Sequence, residues 1–146
     1  MKAARTATVL AILGAVAAPA GCLLPWETLR VEPAGSSGTT PVGALHGTGI
    51  LACAGAVAAL VALAARLRRP ERTPWREGLQ TLAGTLLVVG AGLFPVRGGD
   101  PPGSGAGWSV ALGPGLPLTA VAGLAVLGEV ALAALGRRTG IASLTR

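Results

Sequence analysis

A single carboxylate inside a long apolar stretch is the residue of this sequence best placed to do chemistry. Glu129 is the only charged residue between Leu116 and Leu135. A charge inside a bilayer costs about 2.5 to 3.5 kcal/mol on insertion scales, so such a carboxyl is either protonated or held by a polar partner. The sequence therefore predicts a polar site at Glu129.

Helical rise predicts which polar residues lie at the depth of Glu129. The carboxylate lies about 9 Å from the end of its stretch. On the preceding apolar stretch, Thr85 has nearly the same depth, and Thr81 and Gln80 lie nearer the surface. We expect these four residues to form the candidate intramembrane site. Helical periodicity also puts small residues on the face of Glu129 and leucines on the opposite face: Ala122, Ala125, Ala133 and Gly136 against Leu124, Leu127 and Leu135.

Two hypotheses explain an acid at this position. It handles protons or ions, or it makes a hydrogen bond that fixes helix register. Arg66 or Arg76 could neutralise it by extending inward along an apolar stem. The second hypothesis is favoured because no other acid or base lies at the middle of a predicted span.

The residue inventory argues against an enzyme. The chain has one histidine, one aspartate, no tyrosine and no asparagine, so neither a multi-ligand metal site nor a serine, histidine and acid triad is easily assembled. His46 could pair with Glu27 or Glu32, but a polar residue at a helix start is the simpler interpretation. We expect no catalytic, cofactor-binding or metal-binding residues.

The two cysteines, Cys22 and Cys53, lie at the same predicted depth. Each is near the outer end of its apolar stretch, where a disulfide is chemically permitted. Equal depth does not fix helix rotation, so two small buried thiols are the favoured interpretation and a bridge is the alternative.

Composition indicates the elements that position these residues. Of 146 residues, 51% are hydrophobic and 12% charged, against about 25% charged in soluble domains. The mean hydropathy is +0.65. We predict a single integral membrane domain over 1–146, an all-α bundle of four transmembrane helices near 6–24, 47–65, 78–96 and 116–135.

The basic residues predict the orientation. The net charge is +6, and the arginines separate apolar runs instead of alternating with aromatic residues, so nucleic-acid binding is not expected. By the positive-inside rule, both termini and the central basic loop are predicted to be cytoplasmic in a multi-pass cell-membrane protein. Ten of the twelve basic residues form three clusters: Lys2 and Arg5; Arg66, Arg68, Arg69, Arg72 and Arg76; Arg137, Arg138 and Arg146.

The three tryptophans lie at predicted span ends. Trp26, Trp75 and Trp108 are therefore expected to be interfacial anchors. Small residues four apart, such as Gly14 and Ala18 or Gly55 and Ala59, support close helix packing without identifying the partners.

The predicted outer loops carry strand signals. Residues 28–32 alternate between polar and apolar and predict a strand, whereas 33–41 predict a turn or flexible segment. Residues 109–112 could add a second strand, giving a small extracytoplasmic β-ribbon cap or loop. Each half of the chain reads as an out-and-back hairpin, so two hairpin repeats are a further hypothesis.

Three short motifs mark the span ends: Leu24-Pro25-Trp26 at the end of the first span, His46-Gly47-Thr48-Gly49 before the second, and Gly113-Pro114-Gly115-Leu116 before the last. With these motifs the chain resembles small uncharacterised four-helix prokaryotic membrane proteins, notably from halophilic archaea. The resemblance implies the four-helix fold and transfers no functional residue, because no activity is established for such proteins.

A cleaved N-terminus is the main alternative to four spans. Residues 2–20 have a basic start, an apolar run and Ala18-Pro19-Ala20, which is the layout of a secretory signal. The apolar run continues through Leu24, which favours an uncleaved span.

These observations predict a non-enzymatic membrane protein, an accessory or structural component that binds a membrane-protein partner, a second copy of itself or lipid. A small transporter or channel subunit that uses Glu129 is the alternative.

Overall fold

The described part of the chain folds into four long helices and one small sheet. The computed structural model describes residues 2–31, 38–45, 47–68, 73–97 and 108–144. The helices are α1 (Lys2–Leu23), α2 (Gly49–Arg68), α3 (Pro74–Arg97) and α4 (Gly115–Leu144). The strands are β1 (Glu27–Val31), β2 (Gly38–Val42) and β3 (Trp108–Leu112).

Each helix contains a segment long and apolar enough to cross a membrane. These segments are Thr6–Leu23, Gly49–Arg68, Pro74–Phe94 and Gly115–Gly136. The prediction of four apolar helices is confirmed, and they indicate a multi-pass membrane protein.

The helices pack in a ring with two distinct ends. Helix α1 contacts α2 and α4, and α3 also contacts α2 and α4. One end holds the start of α1, the end of α2, the start of α3 and the end of α4, and we call it the basic end. We call the end that holds the strands the sheet end.

Glycines allow two of these helix pairs to approach closely. A Cβ added at Gly14 of α1 would lie 3.0 Å from the carbonyl oxygen of Ala122 on α4, and one at Gly90 of α3 would lie 2.7 Å from the backbone nitrogen of Ala52 on α2. The small-residue spacing expected from the sequence thus serves the α1–α4 and α2–α3 contacts.

The sheet has three strands in the order β2-β1-β3, and both pairings are antiparallel. The predicted pairing of the first strand with 109–112 is present. The prediction that all of 33–41 is a turn or flexible segment is wrong for 38–41, which belong to β2. This strand lies at the sheet edge, where Pro41 is tolerated because an edge strand can lack a ladder donor.

Two helices extend further than expected. Helix α3 covers Pro74–Arg97, where 78–96 was expected, and continues through Pro95; α4 covers Gly115–Leu144, where 116–135 was expected. A proline in the last turn removes only one helical hydrogen bond. Arginine is a good helix former, so Arg137 and Arg138 end the apolar segment without ending the helix.

The two halves of the chain differ in their strands. Within the described residues, the first hairpin carries β1 and β2, and the second carries β3 alone. Internal duplication stays a prediction.

Candidate functional site

Glu129 lies at the centre of a polar cluster near the basic end. The Arg66 Nη1 group donates to Oε1 of Glu129 at 2.5 Å, and Gln80 Nε2 donates to Oε2 at 2.6 Å. Both carboxylate oxygens are therefore engaged by side chains from other helices.

Helix α1 joins the cluster through Thr8. The Nη2 group of Arg66 donates to the Thr8 hydroxyl oxygen at 2.6 Å. We define the polar cluster as Thr8, Arg66, Gln80 and Glu129, which contributes one side chain from each of α1, α2, α3 and α4. This arrangement ties all four helices together at one level of the bundle.

Because Glu129 is buried, its carboxylate needs the ion pair with Arg66. The side chain of Glu129 is 6% exposed and that of Arg66 is 18% exposed. A buried carboxylate is costly unless a charge and hydrogen bonds compensate it. Arginine suits this role because its long apolar stem crosses the helix end and its planar fork serves two acceptors at once.

The two donors to Glu129 lie near the ends of their helices. Arg66 lies in the last turn of α2, and Gln80 lies on the buried face of α3, two turns after the Thr73-Pro74 start of that helix. Proline is favoured at the first helical position. The Thr73 carbonyl accepts from the backbone N–H groups of Arg76 and Glu77.

The sequence identified half of this cluster as site residues. Glu129 and Gln80 were expected and are joined. Thr81 instead donates to the Glu77 carbonyl oxygen of its own helix at 2.9 Å, and Thr85 is exposed on α3, so the structure does not bring these two threonines to the carboxylate. Thr8 was not expected, although its depth near the start of α1 is a signal that helical rise could have supplied.

Small and large residues on α4 divide largely as the periodicity predicts. Ala122 is buried with Glu129, and Leu124 and Leu135 are exposed. Leu127 and Gly136 differ from the prediction. Leu127 is only partly exposed and lies against Gly84 of α3, and Gly136 is exposed.

Trp26 is fully buried at the sheet end. Its ring packs edge-on against Phe94, with centroids 4.9 Å apart. Its backbone N–H donates to the Val42 carbonyl at 2.9 Å, and its carbonyl accepts from the Gly113 N–H at 2.7 Å. An interfacial anchor needs exposure to headgroups, so this side chain instead joins the sheet to the bundle.

The indole of Trp26 also completes the end of α1. Its Nε1 group donates to the Gly21 carbonyl at 2.9 Å. The residue four positions after Gly21 is Pro25, which has no N–H to offer. The Leu-Pro-Trp sequence therefore removes a backbone donor and supplies an indole donor in its place.

The other two tryptophans differ from Trp26. Trp75 lies in the first turn of α3 and is 57% exposed. Trp108 is the first residue of β3, and its side chain lies outside the described ones. Both remain predicted interfacial anchors.

Cys22 and Cys53 are neighbours, as equal depth allowed. Their thiols are free and lie side by side, and that of Cys22 also lies near the Thr119 hydroxyl. A disulfide between them stays the alternative that the sequence left open.

Metal-binding geometry is absent from the described residues, which contain no group of three or more histidine, cysteine, aspartate or glutamate residues able to hold a metal ion. His46 and Glu32 lie outside the described residues. The chemistry that the polar cluster can support is thus charge pairing, hydrogen bonding or proton exchange at Glu129.

Comparison with known proteins finds no matching family model and no matching curated protein. The functional argument therefore rests on the geometry of the chain itself.

Proposed function

We propose that this protein is a non-enzymatic membrane component with a structural or accessory role, binding a membrane-protein partner, a second copy of itself or lipid. The observation that carries the proposal is the polar cluster. Its one carboxylate accepts from Arg66 and Gln80, and Arg66 also reaches Thr8. These groups connect four helices, which is what a register-fixing network requires.

The orientation belongs to the same proposal. The basic end carries the arginines at the end of α2 and the start of α3, so the positive-inside rule puts it and both termini in the cytoplasm of a cell-membrane protein. The sheet end then faces outward and offers a surface for a partner.

The competing function is proton or ion transfer through Glu129. A buried acid and base in a membrane are a functional candidate by default. Transfer requires Glu129 to exchange its proton during the cycle, whereas a structural role requires only that the four side chains stay hydrogen-bonded.

Proton flux through vesicles separates these functions. The full chain is reconstituted in vesicles that enclose a pH-sensitive dye, and a potassium gradient with valinomycin imposes a membrane potential. We expect the flux to equal that of protein-free vesicles. A proton flux above that level in the wild type, lost in Glu129→Gln, would overturn the structural proposal.

The variant Glu129→Gln also tests the structural role directly. Glu129→Gln keeps the side-chain shape, and its amide can pair with Gln80 after the Gln80 amide rotates. We expect this variant to fold and to retain the partner or oligomeric state seen with the wild type after purification from its native membrane. Normal folding with loss of that assembly or of the cellular phenotype would contradict the proposal.

A further inference from the structure

A groove between α2 and α3 opens at the basic end, beside the polar cluster but separate from it. Its volume is about 470 Å³. No member of the polar cluster lines it. The described residues that line it are Val61, Ala64, Ala65, Arg68, Thr73, Trp75 and Arg76.

The polar part of the groove is basic. Among the described residues that line it, two are arginines and none is acidic. Arg68 is exposed and Arg76 is buried in the wall, at 5% exposure. Glu77 follows Arg76 in the chain but does not line the groove. Charge complementarity therefore selects an anionic occupant.

The apolar part of the groove lies on α2, on the turns that precede Arg68 in the membrane-spanning segment. Ala64 and Ala65 lie about one turn before Arg68, and Val61 lies one further turn away. Trp75 is exposed at the rim. A guanidinium pair above an apolar channel matches a molecule with a charged head and a hydrocarbon chain.

We propose that this groove binds one anionic phospholipid, with its phosphate at Arg68 and Arg76 and an acyl chain along Val61 and Ala64. Basic pockets between transmembrane helices are suited to anionic headgroups. Arg66 points away from this groove to Glu129, so the arginines of α2 divide between holding the bundle and holding the lipid.

Tryptophan quenching by brominated lipids tests the proposal. The full chain carries Trp108→Phe, so that exposed Trp75 reports on the groove and fully buried Trp26 gives an unquenched baseline. It is reconstituted in phosphatidylcholine vesicles with increasing fractions of brominated phosphatidylglycerol or brominated phosphatidylcholine. We expect half-maximal quenching at a several-fold lower fraction of the phosphatidylglycerol. Equal quenching by both lipids would overturn the site.

Two charge variants test the headgroup contact. Losing one arginine near an anionic lipid should reduce the preference about fivefold, so Arg68→Gln is expected to lose most of it. Arg138→Gln removes the same charge from α4, which is not one of the two helices that line the groove, and should keep the preference. Equal losses in the two variants would show attraction to overall charge and overturn a defined site.

Two volume variants test the acyl contact without changing charge. Ala64→Phe fills the apolar wall and should abolish preferential quenching. Ala54→Phe adds the same ring at an exposed position nearer the sheet end of α2 and should not. Reversal of the preference by millimolar glycerol phosphate in the buffer would identify a water-soluble phosphate site and contradict the lipid assignment.

This inference deepens the proposed lipid-binding role, and the two fail in different experiments. Proton flux dependent on Glu129 would overturn the proposed function and leave the phosphatidylglycerol preference in place. Equal quenching by the two lipids would remove the groove as a site and leave the flux result unchanged.

Discussion

The two ends of the bundle are held together by different forces. At the basic end, Arg66 and Glu129 form a buried ion pair among flexible side chains. At the sheet end, Trp26 is buried between the helices and the strands, and neutral hydrogen bonds satisfy its backbone and indole groups. Charge specifies which helices meet at one end, and packed volume does so at the other.

This difference has an energetic consequence. A buried ion pair contributes little net stability over an uncharged equivalent, but losing the cation alone is costly because it leaves the buried carboxylate of Glu129 unpaired by charge. A packed aromatic ring contributes directly through the contacts and volume that it fills. Removing both charges together should therefore be tolerated at the basic end, whereas no second substitution should restore a missing ring at the sheet end.

The largest effect is expected at Trp26. Trp26→Ala should lower the free energy of unfolding by about 5 kcal/mol, at the upper end for a buried tryptophan, because it opens a cavity beside Phe94 and leaves the Gly21 carbonyl without its donor. The measurement is equilibrium unfolding in mixed detergent micelles.

Two variants give this prediction its controls. Trp26→Phe keeps a ring against Phe94 but loses the indole donor, so an intermediate loss of about 1 to 3 kcal/mol is expected. Trp75→Ala removes an exposed tryptophan at the opposite end and should change stability by less than about 0.5 kcal/mol. Equal losses in Trp26→Ala and Trp75→Ala would contradict the contrast between the ends.

A smaller loss of stability, which a second substitution can restore, is expected at the basic end. Arg66→Met removes the cation that pairs with Glu129 and should cost about 3 kcal/mol, the low end for a buried pair, because Arg66 is partly exposed. Adding Glu129→Gln removes the remaining charge and keeps an amide for Gln80, so the double variant should regain most of the loss. A double variant less stable than Arg66→Met would refute charge compensation as the basis of this end.

The sequence predicted the helices better than the contacts between them. Four apolar runs and the position of Glu129 follow from composition and helical period, which are local properties. That Arg66 pairs with Glu129 depends on helix rotation, which equal depth does not fix. Trp26 shows the same limit, because a tryptophan at a span end has the same sequence signal whether it faces lipid or is enclosed by a sheet. Strand β2 was missed because its pairing with β1 overrides the turn propensity of its own residues.

The smallest effect is expected at Glu27, the first residue of β1 and an acid at the sheet end. Its side chain is buried, and desolvation raises its pKa from the ordinary value of 4.5. The folded state therefore holds the proton more tightly than the unfolded state, so Glu27 favours folding below about pH 4.5, and this contribution falls as the pH rises through the folded-state pKa. Glu27→Gln is neutral at every pH and should remove that part of the dependence. The free energy of unfolding of both proteins should be measured from about pH 4 upward. As the pH rises, the wild type is expected to lose stability relative to Glu27→Gln. A difference that stays constant or shifts the other way would show that the sheet end accommodates the ionised carboxylate as readily as water does.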